Sequence, residues 1–205
     1  MTFDITSFFE FTKKKKIFSF FYHKLKCSAD VADLLAEICT YKGTLVTGSP
    51  VSPILSFWAN YDMFEVINKR ALDYSLNFTL YIDDITLSGD RIPIRMKYII
   101  SDIVKAYGYQ INIKKTKTFI KSDSKHITGL VISDNKLRVP HSRFRKLRLL
   151  RDFYLKESIQ YKKIKILERI CGLVGEASYI DNRYSIAAER SYRDLRNART
   201  AANTK

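Results

Sequence analysis

Asp83 and Asp84 stand side by side between two runs of strand-forming residues, Phe78-Thr79-Leu80-Tyr81 and Ile85-Thr86-Leu87-Ser88. The segment reads as two short strands with the acidic pair at a hairpin tip. Adjacent carboxylates repel, and among apolar neighbours the repulsion is tolerable only where a cation sits between or beside them. Hard divalent ions prefer carboxylate oxygens and water, which fits Mg²⁺.

The periodicities around this hairpin predict an α+β chain. Thr2-Phe3-Asp4-Ile5 reads as the end of a strand. Phe11 to Leu25 reads as a helix in which Lys13 to Lys16 form a solvated face. Ser28 is a plausible N-cap, and Val31, Leu34, Leu35 and Ile38 at helical spacing predict an amphipathic helix over 29–40. Gly43 ends that region. Leu45 to Pro53 is a turn-rich loop with Ser52 as cap and Pro53 at the first helical position. One long helix is expected from Pro53 to Tyr74, with Ile54, Phe57, Trp58, Tyr61 and Phe64 on its inner face and Trp58 in the core. A second is expected from Pro93 to Tyr107, with Met96, Ile99, Ile100, Ile103 and Val104 inward and Gly108 as its stop. Ile111 and Ile113 alternate as in a strand, and Ile127 to Val139 reads as a hairpin turning at Asp134-Asn135. From Pro140 the pattern is helical: His141 to Ser158, with Phe144, Leu147, Leu150 and Phe153 as its apolar stripe, then Lys162 to Gly175 and Tyr184 to Thr200. Residues 1–139 therefore read as mixed α/β and 140–205 as all-helical.

Composition narrows the functional classes. With 205 residues, 46% hydrophobic and 28% charged, the chain is an ordered globular protein with no apolar run long enough to cross a bilayer. The N-terminus has no basic region followed by an apolar stretch. Three scattered cysteines form neither a CxxC pair nor a disulfide framework. The simplest reading is an intracellular, reduced protein. The net charge of +15 favours polyanions. His141 to Lys205 holds 16 Lys and Arg against 7 Asp and Glu, a net +9, so the basic surface gathers in the last third. There is no Gly-Lys-Ser/Thr phosphate loop, and His23, His126 and His141 lack metal-ligand spacing.

The order of motifs is informative. Asp4-Ile5-Thr6-Ser7-Phe8-Phe9 comes first. Leu45-Val46-Thr47-Gly48-Ser49-Pro50-Val51-Ser52-Pro53 follows, then Tyr81-Ile82-Asp83-Asp84, Asn112-Ile113-Lys114-Lys115-Thr116 and Ile127-Thr128-Gly129. This succession resembles bacterial reverse transcriptases, and most closely those of retrons, from about Phe3 to about Leu155. The resemblance implies a reverse-transcriptase palm over 1–139, a small antiparallel sheet packed on helices, followed by an all-helical basic thumb over 140–205.

The resemblance also implies roles. Asp4, Asp83 and Asp84, with the backbone carbonyl of Ile5, would bind two Mg²⁺ ions. Phe9 matches the steric gate against a ribose 2′-hydroxyl, and Thr47, Gly48 and Tyr81 would lie near the nucleotide and the primer end. Lys115 matches a lysine that protonates departing pyrophosphate. Arg143, Arg145, Lys146 and Arg148 would contact nucleic-acid backbone. Ser49, Ser52 and Thr128 read as turn and cap residues. The implied partners are dNTPs, an RNA/DNA hybrid and a structured noncoding RNA, in a bacterial cytoplasmic antiphage system, with no membrane.

Two departures stand out. The family's fingers region, which precedes the first aspartate, has no counterpart here; a split gene, a truncated or misassigned start and a naturally reduced palm–thumb all stay open, and the favoured expectation is that a partner chain or a homo-oligomer completes the site. Thr47 stands where the family usually has glutamine. Two other readings remain open: template-independent or protein-primed DNA synthesis, and a non-catalytic RNA-binding scaffold.

Overall fold

The computed structural model describes residues 1–120, 123–133 and 136–203. The expected turn at Asp134-Asn135 lies outside the described residues. The chain forms two compact units, Met1–Phe119 and Ile120–Lys205.

In the first unit, β1 (Thr2–Asp4) leads into α1 (Phe8–Phe11), α2 (Lys14–Ser19) and a π-helical turn, Phe20–Lys24. Then come α3 (Ala29–Cys39), α4 (Ser52–Ala59), α5 (Tyr61–Leu72), β2 (Asn77–Tyr81), β3 (Asp84–Ser88) and α6 (Met96–Ala106). The strands form one antiparallel sheet in the order β1-β3-β2. Phe3 lies opposite Ile85, Asp4 opposite Asp84, and Tyr81 opposite Asp84. Side chains alternate between the faces of a strand. One face, with Phe3, Ile85 and Leu87, is therefore buried beneath Met63, Phe64 and Ile67 of α5 and Met96, Ile100 and Val104 of α6. The other face carries Asp4, Tyr81 and Asp84. Fully burying each such apolar side chain stabilises by ~1.5–3 kcal/mol, and that fixes the register and hence the carboxylates.

A second core joins Ile17, Phe21, Ala32, Ala36, Leu45 and Leu55. Here the structure departs from the periodicity. α3 turns Ala32 and Ala36 inward, while Val31, Leu34 and Ile38 are exposed, Ile38 at 71%. The small alanines allow close packing, and Lys14 of α2 pairs with Asp33 at 2.9 Å and Glu37 at 2.7 Å on α3. The expected helix from Pro53 to Tyr74 is two helices, broken at Asn60 (φ −120°, ψ 17°). Buried Asn60 accepts from Lys16 Nζ and from the Tyr109 hydroxyl, both at 2.8 Å, and donates to the Ser56 carbonyl. Satisfying this buried amide outweighs helix continuity. Ile54 is exposed and Trp58, at 46% exposed, is not a core residue. Phe11 to Leu25 is likewise not one helix but the end of α1, α2 and the π-turn. Ser52 is the first residue of α4, not its cap. The Ile111–Ile113 strand reduces to one bridge, Ile5 to Ile111, with Ile113 exposed.

The second unit begins with an antiparallel sheet of β4 (Lys125–Ile127), β5 (Leu130–Ser133) and β6 (Lys136–Arg138). Thr128 (φ 45°) and Gly129 (φ 80°) form the β4–β5 turn, both left-handed as a two-residue hairpin favours. Then follow α7 (His141–Lys156), α8 (Gln160–Ile180), a 3₁₀ turn Asn182–Tyr184 and α9 (Ser185–Asn203). Leu150 of α7, Ile170 and Val174 of α8 and Ala188 of α9 share a core. Tyr154, not the expected Phe153, packs against it; Phe153 is 62% exposed. α8 runs past Gly175, where a Cβ would come within 2.7 Å of the Tyr192 hydroxyl, so this glycine marks the close approach of α9.

Candidate active site

The site is built on the β2–β3 hairpin. Tyr81 and Asp84 pair across the strands, leaving Ile82 and Asp83 as the turn. Ile82 adopts φ 58°. A β-branched residue in the left-handed region is strained by ~1–3 kcal/mol, and such strain persists only where the surroundings impose it. Here the Asp83 carbonyl accepts from the Ile5 N–H at 3.0 Å, tying the tip to the end of β1.

Two of the three aspartates therefore meet by register. Asp4 and Asp84 are direct cross-strand partners on the face away from the core. Asp83, at the adjacent tip, feels Asp4 electrostatically, and Asp84 feels both Asp83 and Asp4. Burial pushes the Asp83 and Asp84 carboxyls above the ordinary carboxylate range, and the neighbouring carboxylates push them further.

Lys115 is delivered by a turn anchored to β1. The Asn112 N–H donates to the Asp4 carbonyl at 2.8 Å, and the Asn112 carbonyl accepts from the Lys115 and Thr116 N–H groups. This places Lys115 Nζ at 2.8 Å from Asp4 Oδ2. The hydrogen bond and charge of Asp4 raise the Lys115 pKa, so the ammonium keeps its proton.

Beside the carboxylates lies a pocket of about 250 Å³ lined by Ser7, Phe9, Glu10, Thr47, Ile82 and Asp83, among others. Three residues expected at the nucleotide site, or its metal, from motifs far apart in sequence thus share one cavity: Phe9, Thr47 and Asp83. Phe8 is core, while Phe9 packs at the cavity wall between both cores. Gly48 (φ 94°) has open space where a Cβ would stand, so the backbone conformation and not crowding calls for glycine. Tyr81 is 62% exposed and cross-strand from Asp84. Ile5 is buried.

In the second unit, Arg145, Lys146 and Arg148 project from α7 into solvent, whereas Arg143 is ion-paired with Glu176 of α8. Sequence reasoning missed Ser7 (φ 47°), Glu10 and Ile82 as pocket residues. Only a left-handed backbone at Ser7 and Ile82 brings them there, and neither residue type advertises it.

Among the described residues, no group of three or more His, Cys, Asp or Glu side chains is already drawn together closely enough to hold a metal ion. Asp4 is engaged by Lys115 instead. The donor chemistry nevertheless matches a hard divalent ion: three carboxylates near one hairpin tip, with Asp83 and Asp84 free of any ion-pair partner among the described residues.

Comparison with known proteins gives a consistent result. Residues 1–132 match the family described as reverse transcriptase (RNA-dependent DNA polymerase). The chain is 30% identical over 147 residues to the retron Ec86 reverse transcriptase of Escherichia coli, covering 71% of this chain and 46% of that protein. It is 28% identical over 139 residues to the retron Se72 reverse transcriptase of Salmonella heidelberg, covering 62% of this chain and 36% of that protein. The chain thus spans less than half the length of these relatives. No helix among the described residues is long and apolar enough to cross a membrane.

Proposed function

The chain belongs to the reverse transcriptase family, and from that premise we propose that it carries the catalytic carboxylates for RNA-directed DNA synthesis. The observation that carries this reading is the register of β1 on β3, which sets Asp4 opposite Asp84 beside a pocket walled by Phe9, Thr47 and Asp83. In this reading residues 1–139 form the palm, although the first compact unit ends at Phe119, and residues 140–205 form the thumb.

Asp4, Asp83 and Asp84, with the Ile5 carbonyl, hold two Mg²⁺ ions. When bound, the ions supply activation of the primer 3′-hydroxyl and charge neutralisation at the triphosphate. Phe9 closes the pocket against a 2′-hydroxyl, and Thr47, Gly48 and Tyr81 bound the nucleotide and primer end. Lys115, held protonated beside Asp4, gives its proton to the departing pyrophosphate. Arg145, Lys146 and Arg148 contact the phosphates of an RNA/DNA hybrid, and Arg143 shares that surface once freed from Glu176. A structured noncoding RNA supplies the template, in a retron-like antiphage system of the bacterial cytoplasm.

Primer extension on a defined RNA template with dNTPs and Mg²⁺ tests this. The expected result is a DNA product that follows the template and is reduced to background by Asp83→Asn. Products indifferent to the added template would transfer the reading to template-independent synthesis. Full biological activity of Asp83→Asn would make the chain a scaffold.

A further inference from the structure

A second pocket, of about 600 Å³, opens elsewhere on the first unit and is lined by Phe20, Lys24, Leu25, Trp58 and Tyr61. It shares no lining residue with the pocket at the carboxylates. Its wall is a ladder of rings. Phe20 and Trp58 stack at 6.4 Å between centroids with planes 18° apart, and Trp58 and Tyr61 at 5.6 Å and 24°. Phe57 buttresses Trp58 edge-on at 5.1 Å and 71°, which fixes the ring plane.

The local backbone builds this wall. In the π-turn, the Leu25 N–H donates to the Phe20 carbonyl, five residues back, at 3.2 Å. That wider turn brings residues i, i+4 and i+5 to one side, where an α-helix would carry Leu25 away. Phe20, Lys24 and Leu25 therefore line one pocket. An exposed tryptophan held in plane by other rings costs apolar exposure without contributing to the core, so it calls for a ligand with a flat face.

Charge selects among flat-faced ligands. Phe11 to Ala29 holds six lysines, of which Lys14 is paired with Asp33 and Glu37, Lys16 is half-buried on Asn60 and Lys24 is paired with Asp62. Lys15 and Lys26 are exposed. The two acids at the rim are already engaged: Asp62 pairs with Lys24 at 2.9 Å, and Glu65 accepts from the Tyr61 hydroxyl at 3.0 Å. Stacked, exposed rings on a segment that also carries exposed lysines suit unpaired bases, since every base offers a π-face and every linkage a phosphate. We infer that this pocket stacks unpaired nucleobases of a single-stranded nucleic acid, at a site separate from the carboxylates.

Trp58 is the only tryptophan in the chain, so its emission reports on this pocket directly. The test titrates the full chain, in EDTA and without nucleotides, with strands of about 12 nucleotides, within the usual span of such sites. RNA and DNA of one sequence, an abasic strand of the same length and a blunt duplex are compared. Saturable quenching by base-bearing single strands, but not by abasic strand or duplex, is expected. The RNA and DNA arms show which strand is preferred. Followed by the anisotropy of an end-labelled strand, since both variants lack the reporting tryptophan, Trp58→Ala should weaken single-strand binding about tenfold, while Trp58→Phe, which keeps a ring, should retain most of it. Binding without quenching, equal quenching by the abasic strand, or emission that shifts only with protein concentration overturns the inference; the last assigns the face to a second copy. Loss of polymerisation would leave this titration unaffected, because it uses neither metal ion nor nucleotide.

Discussion

At the scale of residues, the hairpin tip concentrates cost. Ile82 is strained, Asp83 and Asp84 are partly desolvated carboxyls, and Lys115 answers only Asp4 directly. Proteins tolerate such local cost where the site uses it. Removing a charge here should therefore separate stability from function. Asp84→Asn deletes the carboxylate that faces Asp4 across the sheet, so the metal-free fold should gain on the order of 1 kcal/mol, raising the melting temperature in EDTA by roughly 2–4 °C. The wild type should gain stability on adding Mg²⁺ and the variant should gain much less. Thermal melts with and without Mg²⁺ decide the matter; an Asp84→Asn protein that melts lower in EDTA would show that the carboxylate is a structural acceptor.

At the scale of elements, legibility tracked how much of the answer lay in local pattern. The β2–β3 hairpin and α6 with Met96, Ile100 and Val104 could be read because alternation and helical spacing each point one way, whereas the Thr128-Gly129 turn falls inside what reads as the first strand of a 127–139 hairpin. Pairing across the sheet was not legible, although it is what brings Asp4 to Asp84; only the order of motifs hinted at it. α3 misled because Val31, Leu34 and Ile38 form as good a stripe as Ala32 and Ala36, and the choice was made by its neighbours on α2. The break at Asn60 was hidden because its cause is long-range. Lys16 Nζ joins α2 to Asn60 Oδ1 at 2.8 Å and to the Tyr107 carbonyl at the end of α6 at 3.0 Å, over the Tyr109 ring. Burial lowers the Lys16 pKa to about 8. An unfolded lysine titrates near 10.4, so between these values the unfolded chain binds more protons than the folded one, and stability rises with pH. The fold carries the full cost of the buried ammonium below about pH 8 and sheds it toward pH 10. Urea midpoints from about pH 7.5 to 9.5 should therefore rise for the wild type relative to Lys16→Met, whose own profile lacks this component. Parallel profiles would mean that the carbonyls and the ring hold Lys16 charged throughout.

At the scale of the whole molecule, excess charge is the property that secondary structure does not explain. Of the net +15, +9 lies from His141 onward, on helices whose cores need none of it. The ion pairs of this unit do not consume it: Arg143 with Glu176, Arg183 with Asp181 and Arg199 with Glu168 account for three arginines among the described residues. Arg145, Lys146 and Arg148 stay exposed on α7. In the proposed reading they face a polyanion, and counterion release then makes binding salt-dependent. Each phosphate contact steepens the fall of log K with log salt by ~0.9 on a duplex. Replacing Arg145, Lys146 and Arg148 together by glutamine should lower that slope by about 2–3, with little sequence dependence, and should leave the melting temperature nearly unchanged because none packs in a core. Arg143→Gln should do the reverse, costing some stability through the loss of the Glu176 pair while changing the slope less. A hybrid-binding titration at several salt concentrations separates the two, and a slope that is the same in the triple variant and the wild type would remove α7 from the nucleic-acid surface.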